Sequence, residues 1–275
     1  MRNLKIAYND IPRSLVTSTA SSENTLYKHL NLFNSTKTIF WQTASAVTES
    51  TITLDLGSGV TKSAEYIIIS GLNHILAQSF TSLNIELRAS TDNFATSNVA
   101  ILTKNGIVSS DLIGSHNEEL IITGTQSTAY RYWRLRIVTG SAVIHKARKV
   151  YFGSFFDFNG RSPSYPYSFT DTANPFNRAF VSDAGATFTT SYGRSKRKYE
   201  LEYKGITDAI REDFYTKIGQ FSNDFPVYLY EPTGFEHKVF KNKIFFGWLS
   251  HSYTSNQLWK DVGSFKINLL EDILG

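Results

Sequence analysis

YRYWRLRIV, residues 130–138, alternates large apolar and charged side chains. In an extended chain Trp133, Leu135 and Ile137 share one face, and Tyr132, Arg134 and Arg136 the other. That period of two predicts a half-buried strand, because successive side chains of a strand point to opposite faces. The pattern recurs upstream. TITLDL at 51–56 places Ile52, Leu54 and Leu56 on one face and ends at Gly57. LNIELR at 83–88 turns Leu83, Ile85 and Leu87 inward, and EYIIIS at 65–70 stops at Gly71. Shorter strands are predicted at 99–103 and 119–123, and RKVYFG at 148–153 closes the set. Many short strands joined by turns, with no helical stretch between them, predict a β-sandwich or jelly roll. Residues 1–50 are polar and rich in Ser, Thr and Asn, and few elements are predicted there.

Composition shifts after Gly153. Residues 154–193 mix Pro163, Pro166 and Pro175 with Tyr165, Tyr167, Phe169, Phe176 and Phe180. This reads as an extended arm, with short strands near 179–181 and 187–190. A solvated linker has no need of so many rings, so they should lie either against their own domain or against a neighbouring subunit. RKYELEY at 197–203 then restores a strand. A helix is predicted over 207–222, capped by Thr207 and carrying Ile206, Ile210, Phe214, Ile218 and Phe221 as one apolar stripe. Strands follow at 226–230, 238–253 and 263–271. The expected organisation is a jelly roll over 1–155, an arm over 156–193, and a β-sandwich or small barrel with one helix over 194–275.

Bulk properties narrow the function. The chain of 275 residues has 41% hydrophobic and 19% charged residues, so it has the means to fold. It has no cysteine, which excludes disulfides, thiolate metal sites and a cysteine nucleophile. The net charge of +4 is small, and the basic clusters His145, Lys146, Arg148, Lys149 and Arg194, Lys196, Arg197, Lys198 lack the interleaved aromatics of a single-strand groove. No nucleic-acid partner is expected. MRNLKIAYNDIPRSL is too polar for a signal peptide, and no apolar run approaches the ~20 residues of a membrane span. Folding in a cytoplasm without membrane insertion is therefore expected. The six histidines are scattered, and no zinc-protease, nucleophile-elbow, phosphate-loop or dinucleotide motif occurs. Glu118 and Glu119 are adjacent and would face opposite sides of a strand. We expect no enzyme activity, no cofactor and no metal.

Five short segments occur in one order: Ala20–Ser22, Asn31-Leu32 with Trp41, Leu54–Gly57, EYIIISGLN, and Tyr130–Leu135. Together they resemble a discoidin-like domain, the F5/8 type C or galactose-binding-like jelly roll. The resemblance covers nearly half the chain. It implies that Trp41, Asp55 and Trp133 serve packing and loop fixing, and that loops at one end of the sandwich carry ligands such as sugars, phospholipid head groups or protein surfaces. The corresponding loops hold Tyr27, His29, Asn34, Asn73 and His74, side chains suited to stacking on and hydrogen-bonding a glycan. Some members hold calcium before the Trp, often at an Asp-Gly; here Phe33-Asn34-Ser35 has neither.

The C-terminal order of basic strand, amphipathic helix, VYLYE strand and final SFKINLLEDI strand resembles minor tail proteins of long-tailed bacteriophages, with a tail-tube-like fold. The two resemblances together imply a virion tail protein made in the host bacterial cytoplasm. It would form a homo-oligomeric ring with other phage tail proteins and touch host surface polysaccharide. A free-standing carbohydrate-binding protein is the alternative.

Overall fold

The computed structural model describes residues 4–8, 10–34, 39–113, 118–158, 168–172, 178–181, 187–190, 196–221, 226–230, 244–255 and 262–271. The protein is mainly β. In chain order its strands are β1 (Lys5–Ala7), β2 (Thr17–Ala20), β3 (Trp41–Gln42), β4 (Val47–Asp55), β5 (Tyr66–Ser70), β6 (Leu83–Ser90), β7 (Val99–Lys104), β8 (Glu119–Thr123), β9 (Tyr132–Val143), β10 (Lys146–Ala147) and β11 (Lys149–Gly153). There follow β12 (Ser168–Thr172), β13 (Arg178–Val181), β14 (Thr187–Thr190), β15 (Lys196–Thr207), β16 (Val227–Tyr230), β17 (Ile244–Ser255) and β18 (Val262–Glu271). Helices α1 (Asp10–Arg13), α2 (Asn73–Leu76) and α3 (Asp208–Lys217) lie between them. The chain divides into two compact units. One holds Lys5–Phe156 and Tyr228–Phe245; the other holds Met1–Leu4, Asp157–Val227 and Phe246–Gly275.

The first unit is a sandwich of a five-stranded antiparallel sheet, ordered β2-β4-β9-β6-β7, and a three-stranded one, ordered β11-β5-β8. Alternation in β4, β6 and β9 turns Ile52, Leu54, Leu83, Ile85, Leu87, Trp133, Leu135 and Ile137 inward, all buried as expected. From the other sheet Ile67, Ile69, Leu120, Ile122, Val150 and Phe152 complete the core. Cross-strand pairs such as Leu54 opposite Trp133 and Ile85 opposite Ile137 fix the register. A slip of one residue would turn the whole apolar set outward.

Strand β5 is buried at every position. That suits EYIIIS, whose run of apolar residues does not alternate. Its second face is covered within the same unit. Tyr66 stacks on Phe155 at 4.2 Å, and Phe155 on Tyr230 at 5.4 Å. Tyr151 meets Tyr228 edge-on at 5.0 Å. Residues 228–230 pair antiparallel with β1. A strand from late in the sequence therefore finishes this unit.

In the second unit β12 pairs with β15, β15 with β18, and β18 with β17, all antiparallel. A bulge between Lys204 and Ile206 is accommodated by Gly205 at φ +71°. Helix α3 starts where the sequence predicts: Thr207 Oγ1 accepts from the Ile210 N–H at 3.4 Å, and Asp208 stands in the first turn. Phe214 and Ile218 are buried. Phe214 lies 4.7 Å from Phe265, and Phe158 stacks on Tyr203 at 4.0 Å. Strands β13 and β14 form a separate hairpin, and among the described residues no sheet closes into a barrel.

Three local expectations change. Residues 1–50 contain β1, α1, β2 and β3, too short to leave a periodic signal. Helix α3 ends at Lys217, and a 3-10 turn at Gly219–Phe221 takes the remainder of the expected span. The stretch 156–193 contains β12 as well as the hairpin, and β12 is hydrogen-bonded along 196–200. Residues 238–243 of the expected strand lie outside the described residues.

Candidate functional site

The connection from β2 to β3 carries two rings that the structure brings face to face. Tyr27 and Phe40 stack at 4.2 Å with 21° between planes. Backbone and amide bonds hold them there. Gln42 N–H donates to the Tyr27 carbonyl at 3.1 Å, and Asn31 Nδ2 donates to the Phe40 carbonyl at 2.9 Å. Next in sequence, Trp41 is fully buried and its Nε1 donates to the Ser22 carbonyl at 3.3 Å. The core Trp thus anchors the backbone beside half-buried Phe40.

Strand β10 pairs with β3, and Lys146 Nζ lies 3.7 Å from the Phe40 ring centre. This is a cation–π contact with a half-buried ammonium. Burial, reinforced by Arg148, lowers the Lys146 pKa from its usual value. Helix α2 is fastened to the neighbouring turn by a reciprocal amide pair: Gln78 Nε2 donates to the Ile144 carbonyl at 2.7 Å, and Ile144 N–H donates to Gln78 Oε1 at 3.0 Å. That clamp brings His74 within electrostatic reach of Lys146. Burial first, then the charges of Lys146 and Arg148, hold the His74 imidazole below its ordinary pKa. Its Nε2 is buried with no hydrogen-bond partner among the described residues.

Of the residues expected to bind a ligand, Tyr27 stands in the ring stack, and His74 lies on the helix that packs against β10. Asn73 is exposed beside His74, and Asn34 is exposed at the end of the 3-10 turn His29–Phe33. His29 points elsewhere. It is buried, its Nδ1 donates to Glu23 Oε2 at 2.5 Å, and Nε2 lies 2.9 Å from Ser18 Oγ. A histidine consumed at both nitrogens is a brace for the loop. Phe40 and Lys146 were missed by the sequence reading. Their signal was alternation: Phe40 is out of phase with buried Trp41, and Lys146 is out of phase with buried His145 and Ala147.

The same alternation dissolves the first basic cluster as a surface patch, since His145 and Lys149 are buried and Arg148 pairs with Glu118 at 3.2 Å. Among the described residues no group of acids and histidines is arranged to hold a metal, and no helix is long and apolar enough to cross a membrane. Of the rings expected at an assembly surface, Tyr165, Tyr167 and Phe176 lie outside the described residues. Phe169 stands in β12 opposite Tyr199, and Phe180 in β13 opposite Phe188.

Two half-buried rings, an ammonium and neighbouring amides can receive a polar ligand with an apolar face. Leu26 at 78% and Leu30 at 54% exposure, on either side of Tyr27 in sequence, enlarge the apolar surface.

No family model and no curated protein matches the sequence. Solved structures similar to the chain include a chitosan-binding module of a chitosanase/glucanase from Paenibacillus sp. IK-5, at 18% identity and a TM-score of 0.38, covering 54% of this chain and 97% of that one. A family 32 carbohydrate-binding module of C. perfringens NanJ, solved with galactose, matches at 11% identity and a TM-score of 0.39, covering 55% and 99%. A GH29 fucosidase of Ruminococcus gnavus matches at 10% identity and a TM-score of 0.40 over 51% of this chain, which spans only 25% of the fucosidase.

Proposed function

We propose that the sandwich unit is a discoidin-like glycan-binding module within a non-catalytic tail protein of a bacteriophage. The observation that carries the glycan reading is the Tyr27–Phe40 stack with Lys146 over Phe40. Sugar rings present a C–H face and a rim of hydroxyls, and this neighbourhood offers ring surface and hydrogen-bonding groups in matching proximity. Isothermal titration against a panel of neutral mono- and disaccharides is the test. Tyr27→Ala and Phe40→Ala should each weaken binding at least tenfold while leaving the thermal midpoint within a few degrees. Equal binding by both variants would remove the site from the reading.

The tail assignment draws on the resemblance of the C-terminal order of strand, helix and strands, and on a cysteine-free chain. The proposed partners are other tail proteins and further copies of this chain. Mass spectrometry of purified virions checks the placement, and a free-standing lectin would be absent from them. Because 161–180 includes β12, deleting that stretch would also remove an edge strand from the sheet. Tyr165→Ser with Phe176→Ser is the cleaner probe of assembly: the double variant should fold and fail to enter particles if these rings clasp a neighbour.

A further inference from the structure

Strand β9 turns Arg134 and Arg136 to the outer face of the five-stranded sheet, where Arg88 of β6 joins them. The three guanidinium groups line a shallow cavity of about 310 Å³ together with Glu49, Thr51 and Asn98. Two of them are answered by acids. Arg136 pairs with Glu49 at 2.7 Å and Glu86 at 3.1 Å, and Arg88 with Glu86 at 2.6 Å. Arg134 forms no ion pair among the described residues. Its Nε donates to Thr53 Oγ1 at 3.0 Å, and its guanidinium lies 3.8 Å from the centre of the Phe94 ring. Three cations against two carboxylates leave one positive charge, and it resides on a half-buried group.

The ring under Arg134 is held by a purpose-built loop. Asn93 and Phe94 take φ of +57° and +65°, a conformation that side chains with a Cβ rarely adopt. Buried Ser90 makes it persist: its Oγ accepts from the Phe94 N–H at 2.8 Å and from the Asp92 N–H at 3.0 Å. Asp92 in turn accepts from the N–H groups of Thr96 at 2.9 Å and Ser97 at 3.0 Å. Backbone held in a sparsely populated region by so many bonds points to a function. Here it fixes a ring against a guanidinium whose terminal N–H groups have no acceptor among the described residues.

We propose that this cavity binds the carboxylate of an acidic sugar, with Arg134 as the anion receptor and Arg88 and Arg136 as flanking charges. A carboxylate matches the fork of a guanidinium with two parallel hydrogen bonds and neutralises the residual charge. Burial and the nearby Arg88 disfavour the Arg134 charge, Glu49 offsets them only in part, and a bound anion would add to that offset. The choice of a sugar over another carboxylate rests on the glycan-binding reading of this unit; the anion site stands on the arginines alone.

The test titrates the whole protein with glucuronic acid, glucose and acetate at low and moderate salt, following the arginine side-chain N–H signals by NMR. Glucuronic acid should shift them saturably, more tightly than acetate and more weakly as salt rises, while glucose leaves them unmoved. Arg134→Gln should weaken glucuronic acid at least tenfold, and Arg134→Lys should recover only part of that loss. Tyr27→Ala should leave this binding intact, so failure here and failure of the neutral-sugar site are read separately. Equal affinity for acetate would overturn the sugar assignment, and an unchanged Arg134→Gln variant would overturn the site.

Discussion

His145 shows how much one side chain can set. It is fully buried, with Ser50 Oγ 2.7 Å from Nδ1 and Thr139 Oγ1 3.0 Å from Nε2. Thr139 Oγ1 directs its own proton to the carbonyls of Val47 and Thr48, each at 3.4 Å. Nε2 therefore carries the hydrogen and donates to Thr139, while Nδ1 accepts from Ser50. Protonation would place a second N–H against a hydroxyl already used as donor, and burial lowers the pKa to about 4. The folded value lies below the ordinary imidazole value of 6.5, so the unfolded chain takes up the proton first. Stability is full above the unfolded value and is lost as pH falls towards the folded one. The loss amounts to about 3 kcal/mol across that window. Denaturant melts at pH 7.5 and 4.5 should show it. His145→Gln should be less stable at pH 7.5 and should flatten the slope; an unchanged slope would assign the effect to other groups.

At the scale of elements, the strands that decide the sandwich were legible because one face meets the core and the other meets water. Leu54, Leu87 and Leu135 are buried, while their neighbours Thr53, Glu86 and Arg134 are half-buried. The candidate site was legible only in part. Tyr27 and His74 announce themselves as residue types, but Lys146 reaches Phe40 through the pairing of β3 with β10, two strands of two residues each, far apart in sequence. His29 looks the same in sequence whether it faces a ligand or braces the loop, and the structure bonds it to Glu23. Strand β12 escaped because SFTDT carries one large apolar residue, Phe169, too little to show a period of two. Helix α3 was legible through its cap, and this gives a prediction. Thr207→Ala should cost about 1 kcal/mol, since it strands the Ile210 N–H at the helix start. Urea unfolding measures it, and Thr207→Ser should restore most of the loss.

At the scale of the molecule, the sandwich unit is discontinuous in sequence. Tyr228, fully buried, and Tyr230, 8% exposed, cover Tyr151 and Phe155 and pair with β1. A fragment of residues 1–156 should accordingly bind a hydrophobic dye and melt below the whole protein, because each uncovered large ring forfeits on the order of 1.5–3 kcal/mol. Joining residues 226–230 to that fragment through a flexible Gly/Ser linker should reverse both effects; dye fluorescence and calorimetry decide. The same discontinuity sets a clock during synthesis. Residues 157–227 must leave the ribosome before the last strand of the sandwich exists. At roughly 5–20 residues per second, the aromatic face of β5 and β11 stays open on the nascent chain for about 4–14 seconds, long enough for a chaperone to shield it.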